Sequence, residues 1–118
     1  MEKELSLRDM IAERQNELLS KKIELHPMRA AEILKELSAL YGNTLDEVKN
    51  RQMAYNRVLK SIFDEEPKAN RAKLKAEISD EFEALLEARG TKELTLEMMR
   101  SLKYFLREKE QEYRETNN

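Results

Sequence analysis

Two groups of basic residues are the part of this sequence whose types and spacing favour chemistry with a ligand. Arg100, Lys103 and Arg107 recur at steps of three and four, so a helix would carry them on one side, with Tyr104 beside them. Cations in such a row can contact the phosphate oxygens of a nucleic acid. The full set of possible nucleic-acid contacts is Lys68, Arg71, Lys73, Lys75, Arg100, Lys103, Tyr104 and Arg107.

Acidic residues near Arg100, Lys103 and Arg107 favour a different interpretation. The chain has 22 Lys and Arg against 24 Asp and Glu, which gives a net charge of −2. Nucleic-acid-binding domains usually carry a basic excess or one basic face. We therefore favour a charge-balanced, solvated surface and keep nucleic-acid binding as the alternative. The neutralising residues would be Glu97, Glu108, Glu110 and Glu112.

The other reactive residue types do not assemble into a catalytic or metal site. His26 is the only histidine and the chain has no cysteine. A zinc site needs several nitrogen or sulfur ligands, and a catalytic histidine needs a nucleophile beside it. We therefore predict that the chain is not an enzyme and uses no cofactor, metal or small-molecule substrate. His26 is expected to serve the entry to a helix.

A row of carboxylates is the remaining candidate for acid–base chemistry. Paired carboxylates act as acid and base where burial drives their pKa values apart. Here basic residues lie at helical spacing from the carboxylates, which predicts exposed ion pairs instead. The carboxylates are Glu77, Asp80, Glu81, Glu83 and Glu87, and the basic neighbours are Lys73, Lys75 and Arg89.

Four helix-breaking residues divide the chain into helical segments. Pro27, Gly42, Pro67 and Gly90 are its only prolines and glycines, and the stretches between them are rich in residues that favour helices. Hydrophobic residues make up 40% of the chain and charged residues 39%, which is enough for one apolar stripe per helix. The sequence therefore predicts an all-α fold of four to five helices, as a bundle or in a coiled-coil-like arrangement.

Local signals predict where these helices begin and end. Ser6 and Asp9 resemble a capping box, and Pro27 is a favourable first residue of a helix. Gly42 is well placed to end that helix in the left-handed conformation. Thr44 opens a second capping-box pattern directly afterwards, which predicts a new helix there.

The C-terminal half predicts an antiparallel helical hairpin. One helix would run over 67–89 and end at Gly90, and the next would begin at Thr91 or, as we favour, at Thr95. This hairpin would bring the two basic groups together. The chain would then consist of an N-terminal helical part, residues 1–66, and the hairpin, residues 67–118, in one structural unit.

The apolar stripes of the hairpin predict an interface as well as a core. They are narrow for so charged a chain, and small helical proteins of this kind gain stability by association. We therefore expect a homo-oligomer or a protein partner. Phe82 and Phe105 are the bulkiest residues of the stripes, and we expect both to be largely buried. The possible interface residues are Leu74, Ile78, Phe82, Leu85, Met98, Met99, Leu102, Phe105 and Leu106.

Two short patterns in the same half, Ala69–Lys73 and Met99–Arg107, carry a resemblance to a group of known proteins. With them, residues 69–113 resemble small, mostly uncharacterised helical proteins of tailed bacteriophages and prophages. Those proteins combine an Ala-Asn-x-Ala-Lys helix with a final helix reading Arg/Lys-Ser-Leu-Lys-Tyr. Their genes often lie near phage replication and recombination genes, so the resemblance implies an accessory role around DNA.

The sequence also bears on location and function. The first ten residues are charged and lack an apolar core, so we expect no secretory signal. No apolar run is long enough to cross a membrane, and we expect a cytoplasmic protein. The function we predict is a non-enzymatic, self-associating protein–protein interaction module of phage origin. The alternative is a nucleic-acid-binding accessory factor in phage replication or recombination.

Overall fold

The computed structural model describes residues 5–20 and 25–116. Within these ranges the chain forms four α-helices and no strand, so the predicted all-α class is confirmed. Residues 1–4, part of the stretch searched for a secretory signal, lie outside the described ranges. The helices are α1 (Leu7–Ser20), α2 (Pro27–Glu65), α3 (Ala69–Glu77) and α4 (Asp80–Thr116).

Contacts within the chain divide it into two compact units. Unit 1 comprises the described parts of Met1–Asn43 and Glu93–Asn118, and unit 2 is Thr44–Lys92. Unit 1 therefore contains α1, the first part of α2 and the last part of α4. Unit 2 contains the rest of α2, all of α3 and the start of α4. A division of roles between residues 1–66 and 67–118 stays a prediction.

The first two helices begin where the sequence predicts. The Ser6 Oγ accepts a hydrogen bond from the Asp9 N–H at 3.1 Å, and the Asp9 carboxylate accepts one from the Ser6 N–H at 3.4 Å. This reciprocal pair is the predicted capping box. Pro27 is the first residue of α2, and the His26 Nδ1 accepts from the Met28 N–H at 3.1 Å. His26 thus has the expected role at a helix entry.

Both helix ends predicted at glycines are wrong. Helix α2 continues through Gly42 and Thr44, and α4 continues through Gly90 and Thr95. Neither glycine takes the left-handed conformation, and both threonines are buried. A glycine inside a helix costs about 1 kcal/mol relative to alanine, whereas a helix end leaves up to four carbonyls without helical partners.

The chain therefore does not reverse at Gly90, and the antiparallel pairing involves other helices. Within unit 2, the Arg89 Nη2 donates to the Gln52 Oε1 at 2.7 Å, and the rings of Tyr55 and Phe82 lie 5.1 Å apart between centroids. The residue number rises along α2 as it falls along α4, so these two helices run antiparallel here. The helix predicted over 67–89 is instead divided at Ser79 between α3 and the start of α4, and α4 continues through the predicted start of the next helix.

Unit 1 encloses a core of large aliphatic side chains. Ile11 of α1 packs with Ile33 and Leu37 of α2 and with Met99 and Leu102 of α4, among others. All five side chains are buried. Large residues from three helices therefore fill the centre of this unit.

A network of ion pairs joins α1 to α2 in the same unit. The Arg29 Nε and Nη2 donate to the two carboxylate oxygens of Glu17 at 2.7 and 2.8 Å, and the Nη1 donates to Glu32 at 3.1 Å. Arg14 pairs with Glu36 beside them. The hydrogen bonds that Arg29 donates to Glu17 and to Glu32 raise the pKa of its guanidinium, which therefore stays charged.

Unit 2 has a smaller core. Its fully or nearly fully buried apolar side chains are Ala72 and Ala76 of α3 and Leu85 and Ala88 of α4. Phe82 is partly buried against Tyr55, as Phe105 is against the unit 1 core. Alanines bring helices close together, but they bury little apolar surface.

Candidate interaction surfaces

The predicted interface residues fall into three classes of exposure. Most of their side chains pack against other residues of the same chain, because they lie in the cores of the two units. Leu74 and Ile78 differ, since their side chains are 64% and 84% exposed. The buried residues are Leu85, Met98, Met99 and Leu102, and the partly buried ones are Phe82, Phe105 and Leu106.

The exposed pair lies on the outward side of α3. Ala72 and Ala76 are one turn apart on the buried side of the helix. Leu74 lies two residues from each of them, and Ile78 is the C-cap, so both fall on the opposite side. We call the surface formed by Arg71, Lys73, Leu74 and Ile78 the α3 face.

The charged part of the α3 face is cationic. Lys68, Arg71 and Lys73 are exposed and form no ion pair with any described residue. Lys75 differs, because its Nζ lies 3.2 Å from the Glu66 carboxylate. The face therefore combines two exposed aliphatic side chains with two cations, Arg71 and Lys73, that are available to a ligand.

A surface of the opposite charge lies on the first turns of α4. Asp80, Glu83 and Leu86 recur at three-residue steps, and all three are exposed. The buried residues of this stretch, Leu85 and Ala88, lie on the other side of the helix. Leu86 is 49% exposed. We call the surface of Asp80, Glu83 and Leu86 the α4 acidic face.

The carboxylates and cations of this region do not pair as the sequence predicts. The partner of Lys75 is Glu66 of the segment before α3, and the partner of Arg89 is the Gln52 amide. Neither contact involves a carboxylate of the 77–87 row. In the described part of the chain, Asp80 and Glu83 likewise form no ion pair. The exposed ion pairs predicted for Lys75 and Arg89 with this row are therefore replaced by contacts with Glu66 and Gln52.

The basic group of Arg100, Lys103 and Arg107 lies on the exposed side of α4 in unit 1. Arg100, Lys103, Tyr104 and Arg107 are all exposed, opposite the buried Leu102 and its neighbours. None of the three cations forms an ion pair with a described residue. The side continues along the helix to Gln111 and Arg114 at the same spacing.

Two of the glutamates expected to neutralise this group have other partners. The Glu110 Oε1 accepts from Arg114 at 2.7 Å, and the Glu112 Oε2 accepts from Lys109 at 3.3 Å. Glu97 and Glu108 form no ion pair among the described residues. The predicted convergence of the two basic groups required a reversal at Gly90, which α4 does not make.

Two features are absent from the described residues, a metal-binding cluster and a membrane-spanning helix. Over 5–20 and 25–116, no group of three or more His, Asp or Glu side chains is arranged to hold a metal ion. None of the described helices is both long enough and apolar enough to cross a membrane.

The sequence interpretation missed the acidic face because it missed the start of α4. The Ser79 hydroxyl donates to the Ala76 carbonyl at 2.6 Å and accepts from the Phe82 N–H at 3.2 Å. It thus closes α3 and caps α4. The signal was available, since a serine followed by Asp80 and Glu81 is typical of a helix N-terminus.

Comparisons of the chain with models of protein families, with curated proteins and with solved structures find no match. The phage origin implied by the resemblance of residues 69–113 stays a prediction, and so does a cytoplasmic location.

Proposed function

We propose that this chain is a non-enzymatic protein–protein interaction module that associates with copies of itself through unit 2. The observation that carries the proposal is the exposure of Leu74 and Ile78 on the α3 face. Large aliphatic residues on the outside of a helix are stabilised when a partner removes them from water. The phage setting implied by the resemblance is part of the same proposal.

The composition of unit 2 supports this site over unit 1. Alanines take most of the buried positions in unit 2, whereas Leu74, Ile78 and Leu86 remain exposed. A partner that covered these three side chains would supply apolar burial that the unit does not provide for itself. Burying one such side chain contributes roughly 1.5–3 kcal/mol.

The test is the mass of the protein in solution. Sedimentation equilibrium over a wide concentration range should give a mass above that of one 14.0 kDa chain. The double variant Leu74→Ser, Ile78→Ser should shift the protein towards the monomer while leaving its helical circular dichroism unchanged. Leu19→Ser, at an equally exposed leucine of α1, is the matched control and should leave the mass unchanged.

A strictly monomeric protein at every concentration would refute self-association. A mass that falls equally with Leu19→Ser and with the double variant would refute the assignment to α3, because general loss of surface hydrophobicity would then explain the change.

A second candidate function is nucleic-acid binding through the basic group of α4. The observation that favours it is the absence of ion-pair partners for Arg100, Lys103 and Arg107 among the described residues, while Glu110 and Glu112 are engaged elsewhere. Exposed, uncompensated cations on one helix side can replace the counterions of a phosphate backbone. Tyr104 beside them offers a ring for base stacking.

Salt dependence tests this candidate. Binding to duplex DNA would weaken with salt with a slope near −0.9 per phosphate contacted, and Arg107→Gln should flatten the slope by about one unit. Arg51→Gln, at an arginine of α2 already paired with Glu47, is the control and should leave the slope unchanged. Gel shifts with single- and double-stranded DNA and RNA that show no complex at low salt would exclude this function.

A further inference from the structure

We infer that the α3 face of one copy binds the α4 acidic face of a second copy. This inference rests on the proposed self-association and names the surfaces that meet. The α3 face contributes Leu74 and Ile78 with the cations Arg71 and Lys73. The α4 acidic face contributes Leu86 with Asp80 and Glu83 (the same pattern with the opposite charge).

Pairing of one α3 face with another α3 face is unfavourable for an electrostatic reason. Arg71 and Lys73 are exposed on every copy and form no ion pair with a described residue. Two such faces in contact would bring like charges together as water is removed. Like charges opposed across an interface disfavour this pairing relative to one in which opposite charges meet.

The α4 acidic face is complementary to the α3 face in charge and also carries an exposed aliphatic side chain. Its exposed leucine can pack against Leu74 and Ile78. Its two carboxylates, Asp80 and Glu83, form no ion pair among the described residues, so they are available to the cations of a second copy. The alternative pairing of two acidic faces would oppose like charges in the same way.

Both faces belong to unit 2, so each copy carries a complementary pair. A two-fold arrangement would use the contact twice, α3 on α4 and α4 on α3, and would leave neither face open. An arrangement without two-fold symmetry would use each face once and continue into a longer assembly. The mass at saturation distinguishes a dimer from such an assembly.

Charge reversal tests the inference directly. One variant carries Arg71→Glu with Lys73→Glu, and the other carries Asp80→Lys with Glu83→Lys. Each variant alone should self-associate at least about ten-fold more weakly than the unaltered chain, because like charges now meet. An equimolar mixture of the two should associate again, with a Kd within about three-fold of the unaltered chain, since opposite charges then face each other across one contact.

The matched control reverses two cations of the other unit, Lys103→Glu with Arg107→Glu, which changes the net charge as the α3 variant does. It should not alter self-association. Asp80→Lys places a cation at the N-terminus of α4, where the helix dipole disfavours it. If that variant does not fold, Arg71→Gln and Glu83→Gln should each weaken association and reduce its salt dependence.

The outcomes separate the inference from the proposed function. If the unaltered chain associates and both reversed variants associate equally well, the chain self-associates through other surfaces and the inference is wrong. Failure of the mixture to recover association would also overturn it. If the unaltered chain is monomeric throughout, the proposed self-association is wrong as well.

Discussion

The two units of this protein differ in the size of the side chains that fill their cores. Unit 1 buries Ile11, Ile33 and Leu37 with the methionines of α4, and an ion-pair network then holds α1 against α2. Unit 2 buries alanines and one leucine, and leaves Leu74 and Ile78 in solvent. The two units have similar helical content, but the buried core of unit 1 contains larger side chains than that of unit 2.

This difference indicates which part of the chain is available for a partner. A polar surface gains little free energy when a partner removes it from water. Exposed aliphatic residues next to unpaired charges gain more, and they favour a specific contact. Unit 1 presents the cations Arg100, Lys103 and Arg107, which are unpaired among the described residues, and its candidate ligand is a polyanion. Unit 2 presents apolar residues with both signs of charge, and its candidate partner is another protein surface.

The largest expected effect is on the unit 1 core. Leu37→Ala removes a fully buried side chain from the centre of three helices. We expect it to lower the free energy of unfolding by about 3 kcal/mol, from lost burial and the cavity left behind. Urea unfolding followed by circular dichroism measures this. A change below about 1 kcal/mol would mean that unit 1 is no better packed than unit 2.

A smaller effect is expected for the aromatic contact of unit 2. Phe82 is partly buried and lies against Tyr55, so Phe82→Ala should cost roughly 2 kcal/mol, less than a fully buried phenylalanine. The same unfolding experiment applies, with Phe82→Leu as the control that keeps most of the apolar surface. A loss as large as that of Leu37→Ala would show that unit 2 has a stronger core than its alanines indicate.

The glycines allow a change in the stabilising direction. A β-carbon added at Gly42 or at Gly90 would meet no atom within 4 Å, and both positions are inside helices. Gly42→Ala and Gly90→Ala should therefore each raise the free energy of unfolding by about 0.5–1 kcal/mol. A decrease at either position would show that the helix ends there in solution, as the sequence alone predicts.

The smallest effect on folding is expected at the α3 face. Leu74→Ala removes a mostly exposed side chain, so unfolding of the dilute monomer should change by less than about 0.5 kcal/mol. The same substitution should weaken self-association in concentrated solution. A large loss of monomer stability would show that Leu74 belongs to a core, and the comparison between the units would fail.

The sequence predicts helix type well and helix ends unevenly, for physical reasons. The capping box at Ser6 and the start at Pro27 depend on neighbouring backbone atoms alone, so local patterns identify them. Whether a helix ends at Gly42 or at Gly90 depends on how the residues after each glycine pack. Thr44 and Thr95 are buried, and a sequence does not display that burial.

The candidate surfaces were predictable to a similar extent. The basic residues are exposed because lysine and arginine are rarely buried, which the sequence indicates. The exposure of Leu74 and Ile78 depends on the turn at Ser79, which ends α3 and starts α4 in a new orientation. One continuous helix over 67–89 would have placed both residues in the same stripe as Leu85. The exposure of Leu74 and Ile78 therefore could not be predicted from that helix.

The boundary between the units crosses α2 and α4 rather than a loop. Residues 43–45 and 92–94 therefore lie inside helices and not in a linker. We expect slow amide exchange at both places, because their peptide N–H groups are in helical hydrogen bonds. Unit 2 is also an insertion within the sequence of unit 1, and its excision would cut two helices in their interiors.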